Sequence, residues 1–438
     1  MNTLSFKLAL SPNQEQARAL ASHVGASRFA FNWALAEALS NWKEVEGNPA
    51  VPYISLTAYS LRNRLNLVKE QVAPWWRENS KEAFASGTAN ASKALINWFK
   101  FRKNHGRSFG FPNFKSRHHD SQTGVTFTTG SLRLELDNRY FTLPRIGKVK
   151  LHEKAKTLRW LISQGGRITQ ATVKNQQNRW FIAINVKVEN NLALRYFNGK
   201  KKNKPVNSSV GLDVGLKVFL TNSDGEIVEN PQHLRASLTK LRKANKRLAR
   251  RKRLDKKTGE AASNRWNKAH LQVVKAHAKI ANQRKDFLHK TSKQLVDTYE
   301  IIGLENLNIK GMVKNRHLSL SIADAGWGEF KRQLKYKSDR YGSTIIEVDR
   351  FYPSSKTCSS CGAVKAKLSL SERTYKCENC SLIMDRDLNA ALNIKTVAYS
   401  WWETLNERGE KSSGLPFLVN ETILAETLRD NKSQVIKD

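Results

Sequence analysis

All four cysteines of this 438-residue chain lie between positions 358 and 380. They form two pairs, Cys358-x2-Cys361 and Cys377-x2-Cys380, with fifteen residues between the pairs. A two-residue gap turns both sulfurs of a knuckle onto one ion, and two such knuckles suit a tetrahedral thiolate Zn²⁺. Gly362 supplies the tight turn after the first knuckle, and Ser381 stands at the matching position after the second. Four thiolates close the coordination shell, so the metal would be structural and not catalytic. A redox pair or unpaired thiols would leave the paired spacing unexplained. Four clustered cysteines in a long chain are too few for a secreted disulfide framework and imply a reducing compartment.

Charge is the next constraint. Lys and Arg number 75 against 38 Asp and Glu, a net charge of +37. Such an excess self-repels unless a polyanion neutralises it, and long DNA or RNA is the leading partner. An anionic membrane surface is the weaker rival. Eleven Trp offer rings that could stack on bases, although ordinary core packing uses them too. No run approaches 18 consecutive apolar residues, so no helix is expected to span a membrane. The opening segment does not read as a signal peptide. The length allows two to four domains, and a hydrophobic fraction of 39% permits a sizeable core.

Along the chain, Leu4, Phe6, Leu8 and Leu10 alternate as in a strand. Ser11-Pro12 reads as a helix start, Ser as cap and Pro at the first helical position. Helical spacing follows over 13–43, with a break at Gly47-Asn48-Pro49. Further helices are expected over 55–104, interrupted at Pro74. From 123 to 195 short runs rich in Thr, Val, Ile, Phe and Tyr predict a small antiparallel barrel or sandwich. A basic stretch, 199–205, reads as a linker. Beyond it, Ser209–Leu220 reads as a strand entering the hairpin turn at Asn222-Ser-Asp-Gly225. A long basic helical stretch covers 233–296, with a bend at Thr258-Gly259. Ile301–Leu304 and Thr344–Val348 read as buried strands flanking a helix near Trp327–Tyr341. A last helix is expected over 387–396, with a polar, poorly ordered tail from about 403.

Three acids occupy unusual contexts. Asp213 lies inside the apolar run Val210-Gly-Leu-Asp-Val-Gly-Leu216, where a carboxylate buried without a cation costs several kcal/mol. Glu305 ends the run Ile301-Ile-Gly-Leu-Glu305. Asp387 sits at a helix start in Asp385-Arg-Asp-Leu-Asn-Ala-Ala391. Ligand sites in open α/β sheets form at the carboxyl ends of strands and the adjacent helix starts. Three acids there could hold two divalent cations, and Mg²⁺ prefers such oxygen ligands. Singly, each has an ordinary reading. Asp213 could be a bulge acid and Glu305 a strand-end charge, and Asp385 or Asp387 a helix cap. Together on one basic chain they point to a metal-dependent nuclease.

A third feature is the run Lys240, Arg242, Lys243, Lys246, Arg247, Arg250, Arg251, Lys252 and Arg253. Leu238, Leu241 and Leu248 give one helix face something to pack on, and no acid interrupts the cations. It could be a solvated face. A phosphate-tracking helix accounts better for the unbroken charge, and its binding would be weakly sequence-specific. Lys115 and Arg117, which close the first helical block, join the expected nucleic-acid contacts.

Gly211-Leu-Asp-Val-Gly215, Gly303-Leu-Glu-Asn-Leu307, Tyr352-Pro-Ser-Ser-Lys-Thr-Cys358 with the knuckles, and Asp385-Arg-Asp-Leu-Asn-Ala-Ala391 together resemble TnpB. This family comprises the RNA-guided nucleases of insertion sequences, related to the miniature type V CRISPR nucleases. Pro12-Asn-Gln-Glu-Gln16, Arg28-Phe-Ala-Phe-Asn32, Phe111-Pro-Asn-Phe-Lys-Ser116 and Leu143-Pro-Arg-Ile-Gly147 resemble its N-terminal motifs, so the likeness covers about residues 3–397. The resemblance implies a bilobed, multidomain α+β protein. Residues 1–10 would be the first strand of a wedge β-barrel, 11–120 a helical recognition domain inserted in it, and 121–198 the rest of the barrel. After the 199–206 linker, 207–400 would be an RNase H-like (RuvC) nuclease domain with a zinc finger at 355–384, and 401–438 a tail.

By the family pattern Asp213, Glu305 and Asp387 are the catalytic, Mg²⁺-binding carboxylates. The Asp-x-Asn form selects Asp387 over Asp385, and Arg386 and Asn389 become supporting or phosphate-contacting neighbours. The resemblance further implies a guide RNA transcribed from the transposon end. It implies a double-stranded DNA target beside a short flanking motif, two catalytic Mg²⁺ and one structural Zn²⁺. A monomer within a ribonucleoprotein of the prokaryotic cytoplasm, associated with the nucleoid, is expected. Two alternatives stay open: a nuclease-silent RNA-guided DNA-binding repressor, and a DNA transposase. Inactive relatives should lose an acid, and here all three are present. A transposase needs no bound RNA.

Overall fold

Ser11 does not cap the first helix. It still belongs to strand β1 (Asn2–Ser11), paired with Lys150. Helix α1 (Gln14–Gly47) is capped instead by Asn13, whose side chain accepts from the Gln16 amide at 2.8 Å. The Gln16 side chain returns to the Asn13 amide at 3.2 Å, completing a capping box. The computed structural model describes residues 1–105, 110–116, 124–176, 178–198, 203–253, 255, 258, 260–369, 371–407 and 417–418. The chain divides into two units, 1–195 and 196–438.

In the first unit, α1 is followed by α2 (Ala58–Val72), a 3-10 turn at Pro74–Glu78, and α3 (Lys81–His105). Pro74 has no amide proton to donate and so breaks the helix where expected. Phe31, Leu35, Leu61 and Leu95 form the core that these helices share. Strands β2 (Gly124–Phe127), β3 (Arg133–Leu134), β4 (Tyr140–Leu143) and β5 (Gly147–Leu151) precede helix α4 (Lys156–Ser163). Strands β6 (Arg167–Gln176) and β7 (Arg179–Val188) then lead into α5 (Asn190–Asn198). The sheet order is β2-β6-β7-β1-β5-β4-β3, antiparallel throughout, with Leu4 opposite Val186 and Phe6 opposite Ile184. Among the described residues this sheet is open, where a closed wedge barrel was expected: its edges β2 and β3 do not pair. β3 contributes only two paired residues, too short an edge to close on β2. Helices α4 and α5 interrupt what the composition suggested was all strand.

In the second unit, β8 (Ser209–Val214), β9 (Val218–Asn222) and β10 (Ile227–Glu229) form an antiparallel meander. Helices α6 (His233–Ala249) and α7 (Asn264–Thr298) follow as two rods. The basic helix therefore stops at Ala249, short of the Arg253 expected, because its apolar stripe of Leu234, Leu238, Leu241 and Leu248 runs out there. Next come β11 (Ile301–Glu305), α8 (Ile309–Met312), α9 (Ser319–Ala325), α10 (Trp327–Tyr341) and β12 (Thr344–Val348). A small hairpin, β13 (Thr374–Lys376) with β14 (Ile383–Asp385), runs directly into α11 (Arg386–Glu407), and β15 (Phe417–Leu418) pairs with β12. The sheet order is β10-β9-β8-β11-β12-β15, with β8, β11, β12 and β15 parallel.

Alternation along these strands sorts two cores. Val210, Leu212, Ile302, Leu304 and Ile345 face Leu288, Leu295, Phe330 and Leu334 of α7 and α10. Ile301, Ile346 and Val348 face Ile394, Val397 and Ala398 of α11. α11 runs well past the 396 expected for it. Trp401 and Trp402, which no sequence motif claimed, pack against this second core. No helix among the described residues is long and apolar enough to cross a membrane.

Candidate functional site

Residues two apart on a strand share a face, so Gly211 and Asp213 of β8 point one way, as do Gly303 and Glu305 of β11. α11 lies on that face. A Cβ at Gly211 would stand 2.0 Å from the Ala391 carbonyl oxygen, and one at Gly303 2.6 Å from the Ala398 Cβ. The glycines thus let the helix lie directly on the two strands that carry the acids. Leu212 sits opposite Leu304 in the parallel register, so Asp213 and Glu305 follow side by side at the carboxyl ends of neighbouring strands. Asp387 opens α11, where the helix dipole favours a carboxylate.

Burial first, then the nearby Glu305, Asp387 and Asp385 charges, push the Asp213 carboxyl up to about 8, with Arg386 pulling the other way. Burial also raises Glu305, opposed by the Ser354 hydroxyl, which donates to its Oε1 at 2.6 Å. Both groups are carboxylates short of positive charge. Asp387 has Arg386 Nη2 at 3.3 Å and Arg373 Nη1 at 3.8 Å. Asp385 has a different role: its Oδ1 accepts from the amides of Asp387 at 2.9 Å and Leu388 at 3.0 Å, capping α11.

The site fits divalent cations. Its donors are hard oxygens, and a cation would compensate charge that burial leaves exposed to its own repulsion. Asn389 is fully buried and bonds the loop that leads to the first knuckle. Its Nδ2 donates to the Thr357 carbonyl at 2.7 Å and its Oδ1 accepts from the Ser359 amide at 3.0 Å, beside the first knuckle.

The four cysteine sulfurs all lie within 4.8 Å of one another and form the one such cluster of potential metal ligands among the described residues; the three acids do not close to that spacing. Cys358 and Cys380 are 3.6 Å apart, as are Cys361 and Cys377. A disulfide would bring two sulfurs to about 2.05 Å. A tetrahedron with Zn–S bonds of about 2.3 Å has edges of about 3.8 Å, so the cluster fits zinc. Gly362 and Ser381 follow the two knuckles at φ 73° and 58°, so Ser381 takes the left-handed turn that Gly takes in the first.

The expected nucleic-acid cations separate into groups. Lys240, Lys243 and Arg247 of α6 join Lys275 and Lys279 of α7 around a groove of about 690 Å³. Arg242, Lys246, Arg250 and Arg251 are exposed outside it. Lys252 pairs with Glu260 at 2.9 Å. Lys115 is half-buried, its Nζ 3.8 Å from the Phe31 ring centroid, and burial lowers its pKa. Arg117 lies outside the described residues. Three side chains were missed: Ser354, Arg373 and Asn393. Asn393 had a signal, since it repeats Asn389 one helical turn later on a face otherwise made of Ala390, Ala391 and Ile394.

Three family models match the chain. They are described as "Helix-turn-helix domain" at residues 1–47, "Probable transposase" at 183–316 and "Cas12f1-like, TNB domain" at 327–394. A protein of Mycobacterium tuberculosis is 34% identical over 414 residues, covering 89% of this chain and 85% of the relative. The chain belongs to the TnpB family. Relatives from Streptomyces pristinaespiralis and Escherichia coli are 30% and 26% identical, covering 89% and 90% of this chain and 88% and 92% of their own lengths. All three relatives are provisionally named RNA-guided DNA endonucleases.

Within this TnpB chain, the segment matched as helix-turn-helix is a strand and one continuous helix, β1 and α1. Two of the family's motifs meet in the first unit. Asn32, which ends Arg28-Phe-Ala-Phe-Asn32, bonds both the amide and the carbonyl of Lys115 at 2.8 Å.

Proposed function

We propose that this chain is an RNA-guided DNA endonuclease of an insertion sequence, with Asp213, Glu305 and Asp387 as its catalytic carboxylates. The observation that carries the reading is their convergence: two strand ends side by side, and the start of a helix laid across them on paired glycines. The strand order, an antiparallel meander continued by parallel strands, supports an RNase H-like domain of the RuvC kind. The provisional names of the relatives agree. Two Mg²⁺ held by these acids would supply Lewis acidity and a bound water of lowered pKa.

The protein's own residues do the rest. β8 and β11 fix Asp213 and Glu305 at one level, and the Asp385 cap holds the first turn of α11 so that Asp387 keeps its place. Arg386 and Arg373, which pair with Asp387, would meet phosphate oxygens. The exposed cations hold nucleic-acid backbone, while a guide RNA from the transposon end reads target DNA by base pairing next to a short flanking motif. Zn²⁺ on the four cysteines serves the fold. The open sheet of the first unit stands as part of the wedge domain.

The test is cleavage and binding of a matched duplex by guide-loaded variants. Asp213→Ala, Glu305→Ala and Asp387→Ala should each lose nearly all cleavage and keep guided binding. Asp385→Ala should retain part of the activity, since a lost cap typically costs ~1 kcal/mol. Normal cutting by all four variants would place the nuclease centre elsewhere.

A further inference from the structure

The loop from Tyr352 to Ser359 joins the end of β12 to the first zinc knuckle, and two side chains of α11 hold it by its backbone. Asn393 Nδ2 donates to the carbonyls of Ser354 at 2.8 Å and Thr357 at 2.7 Å. Asn389, one turn earlier on the same helix face, takes the Thr357 carbonyl and the Ser359 amide. Thr357 closes the loop on itself, its Oγ1 donating to the Pro353 carbonyl at 2.9 Å. Ser354, Asn389 and Asn393 are all buried. The Ser354 side chain leaves this tethered loop and donates to Glu305 Oε1. Hydrogen bonds therefore run unbroken from the knuckle to one of the acids, and they pass through the helix that carries another.

We propose that Ser354 is a positioning residue for the nuclease centre. Its hydroxyl occupies one oxygen of Glu305 and fixes the carboxylate plane, which leaves the other oxygen to face a divalent cation, and Asn393 and Asn389 set the hydroxyl's place. The proposal rests on the nuclease reading given above. A hydroxyl donor serves here because Glu305 ends its strand beside Asp213 and takes part in no ion pair among the described residues. A freely rotating carboxylate would have to be ordered by the metal itself, at a cost in affinity. Loss of a partner that orients a metal ligand typically weakens metal binding or activity by about 10–100-fold.

The test compares full-length Ser354→Ala, Ser354→Thr and Glu305→Gln with the wild type, each loaded with the same guide RNA. Mn²⁺ affinity is read by the electron paramagnetic resonance signal of the free ion, with Asp213→Asn as the background for sites on the RNA. Zinc content, melting temperature and the Mg²⁺ dependence of cleavage are measured in parallel. Ser354→Ala should weaken Mn²⁺ binding about 10–100-fold and shift the Mg²⁺ needed for half-maximal cleavage upward. Zinc content, melting temperature and guided DNA binding should stay at wild-type values. Ser354→Thr keeps the hydroxyl and should recover most of the affinity.

Wild-type Mn²⁺ affinity and Mg²⁺ dependence in Ser354→Ala, with Glu305→Gln inactive, would overturn the positioning role alone. So would loss of zinc or of fold in Ser354→Ala, which would make the serine merely structural. Normal cutting and Mn²⁺ binding by Glu305→Gln would overturn the nuclease reading and this proposal with it.

Discussion

Gly211 and Gly303 matter for what they leave out. Each stands two residues before an acid, and each is a point where α11 touches a strand with no room for a methyl group. Gly211→Ala forces its Cβ into the backbone of Ala391 and Lys395, which cannot swing aside as a flexible side chain could. Overpacking of this kind costs about 1–3 kcal/mol. The variant should therefore melt at a lower temperature, and cleavage should fall further than stability does, because any retreat of α11 carries Asp387 away from Asp213. Gly47→Ala, where nothing lies within 4 Å, should change stability by less than about 0.5 kcal/mol. Thermal unfolding and cleavage of the two variants check this, and equal effects would remove the close-approach argument. Strand alternation alone told that glycine and acid share a face in both runs. It could not tell that the distant helix α11, beginning at Arg386, lies on that face of both strands, since close packing depends on contacts that no local pattern encodes.

At the scale of elements, the four-cysteine ribbon and α11 form one piece. The β13–β14 hairpin ends at Asp385, which caps α11, while Asn389 and Asn393 reach back to the knuckle loop. Tyr375 of β13 is fully buried behind the thiols and donates to the Lys356 carbonyl at 3.1 Å. Cys377→Ser should therefore do more than lose zinc. Amide hydrogens of Ser359, Asp387 and Leu388 should exchange faster, cleavage should fail, and the amides of α7 should keep their protection. Zinc analysis with site-resolved hydrogen exchange measures this. Unchanged protection at Asp387 in a zinc-free protein would uncouple the ribbon from the nuclease centre. The cysteines and the acid block were legible because short spacings carry them. The tether between them was not, because it consists of side-chain bonds to backbone groups 30 to 39 residues away. The end of the basic helix at Ala249 was missed for a related reason. Charge continues to Arg253, but the next leucine in sequence, Leu254, is out of phase with the stripe of Leu234, Leu238, Leu241 and Leu248.

For the molecule as a whole, the net charge of +37 says only that a polyanion is expected; where it binds depends on which cations converge. Scattered surface charge contributes only long-range attraction that salt screens. The α6–α7 groove differs, since Lys240, Lys243, Arg247, Lys275 and Lys279 line one channel from two walls. Leu241 of α6 and Val273 and Ile280 of α7 are buried, whereas the five cations line the open groove. None of the five has a carboxylate partner among the ion pairs of the described residues. A backbone of phosphates seated there would release about one condensed counterion per contact. The slope of log affinity against log salt should then flatten by roughly 0.7–0.9 for each contact removed. The triple charge reversal Lys240→Glu, Lys243→Glu, Arg247→Glu should accordingly weaken binding of guide RNA and of target duplex alike, whatever the guide sequence. It should flatten the salt slope by about 2–3, while the melting temperature stays near the wild-type value. Reversal of Arg250 and Arg251, which lie beyond the helix end and outside the groove, should lower affinity less. Filter binding across a salt series gives both numbers. A wild-type slope in the triple variant would mean that the nucleic acid runs elsewhere on the protein and that the groove is a solvated seam between two helices.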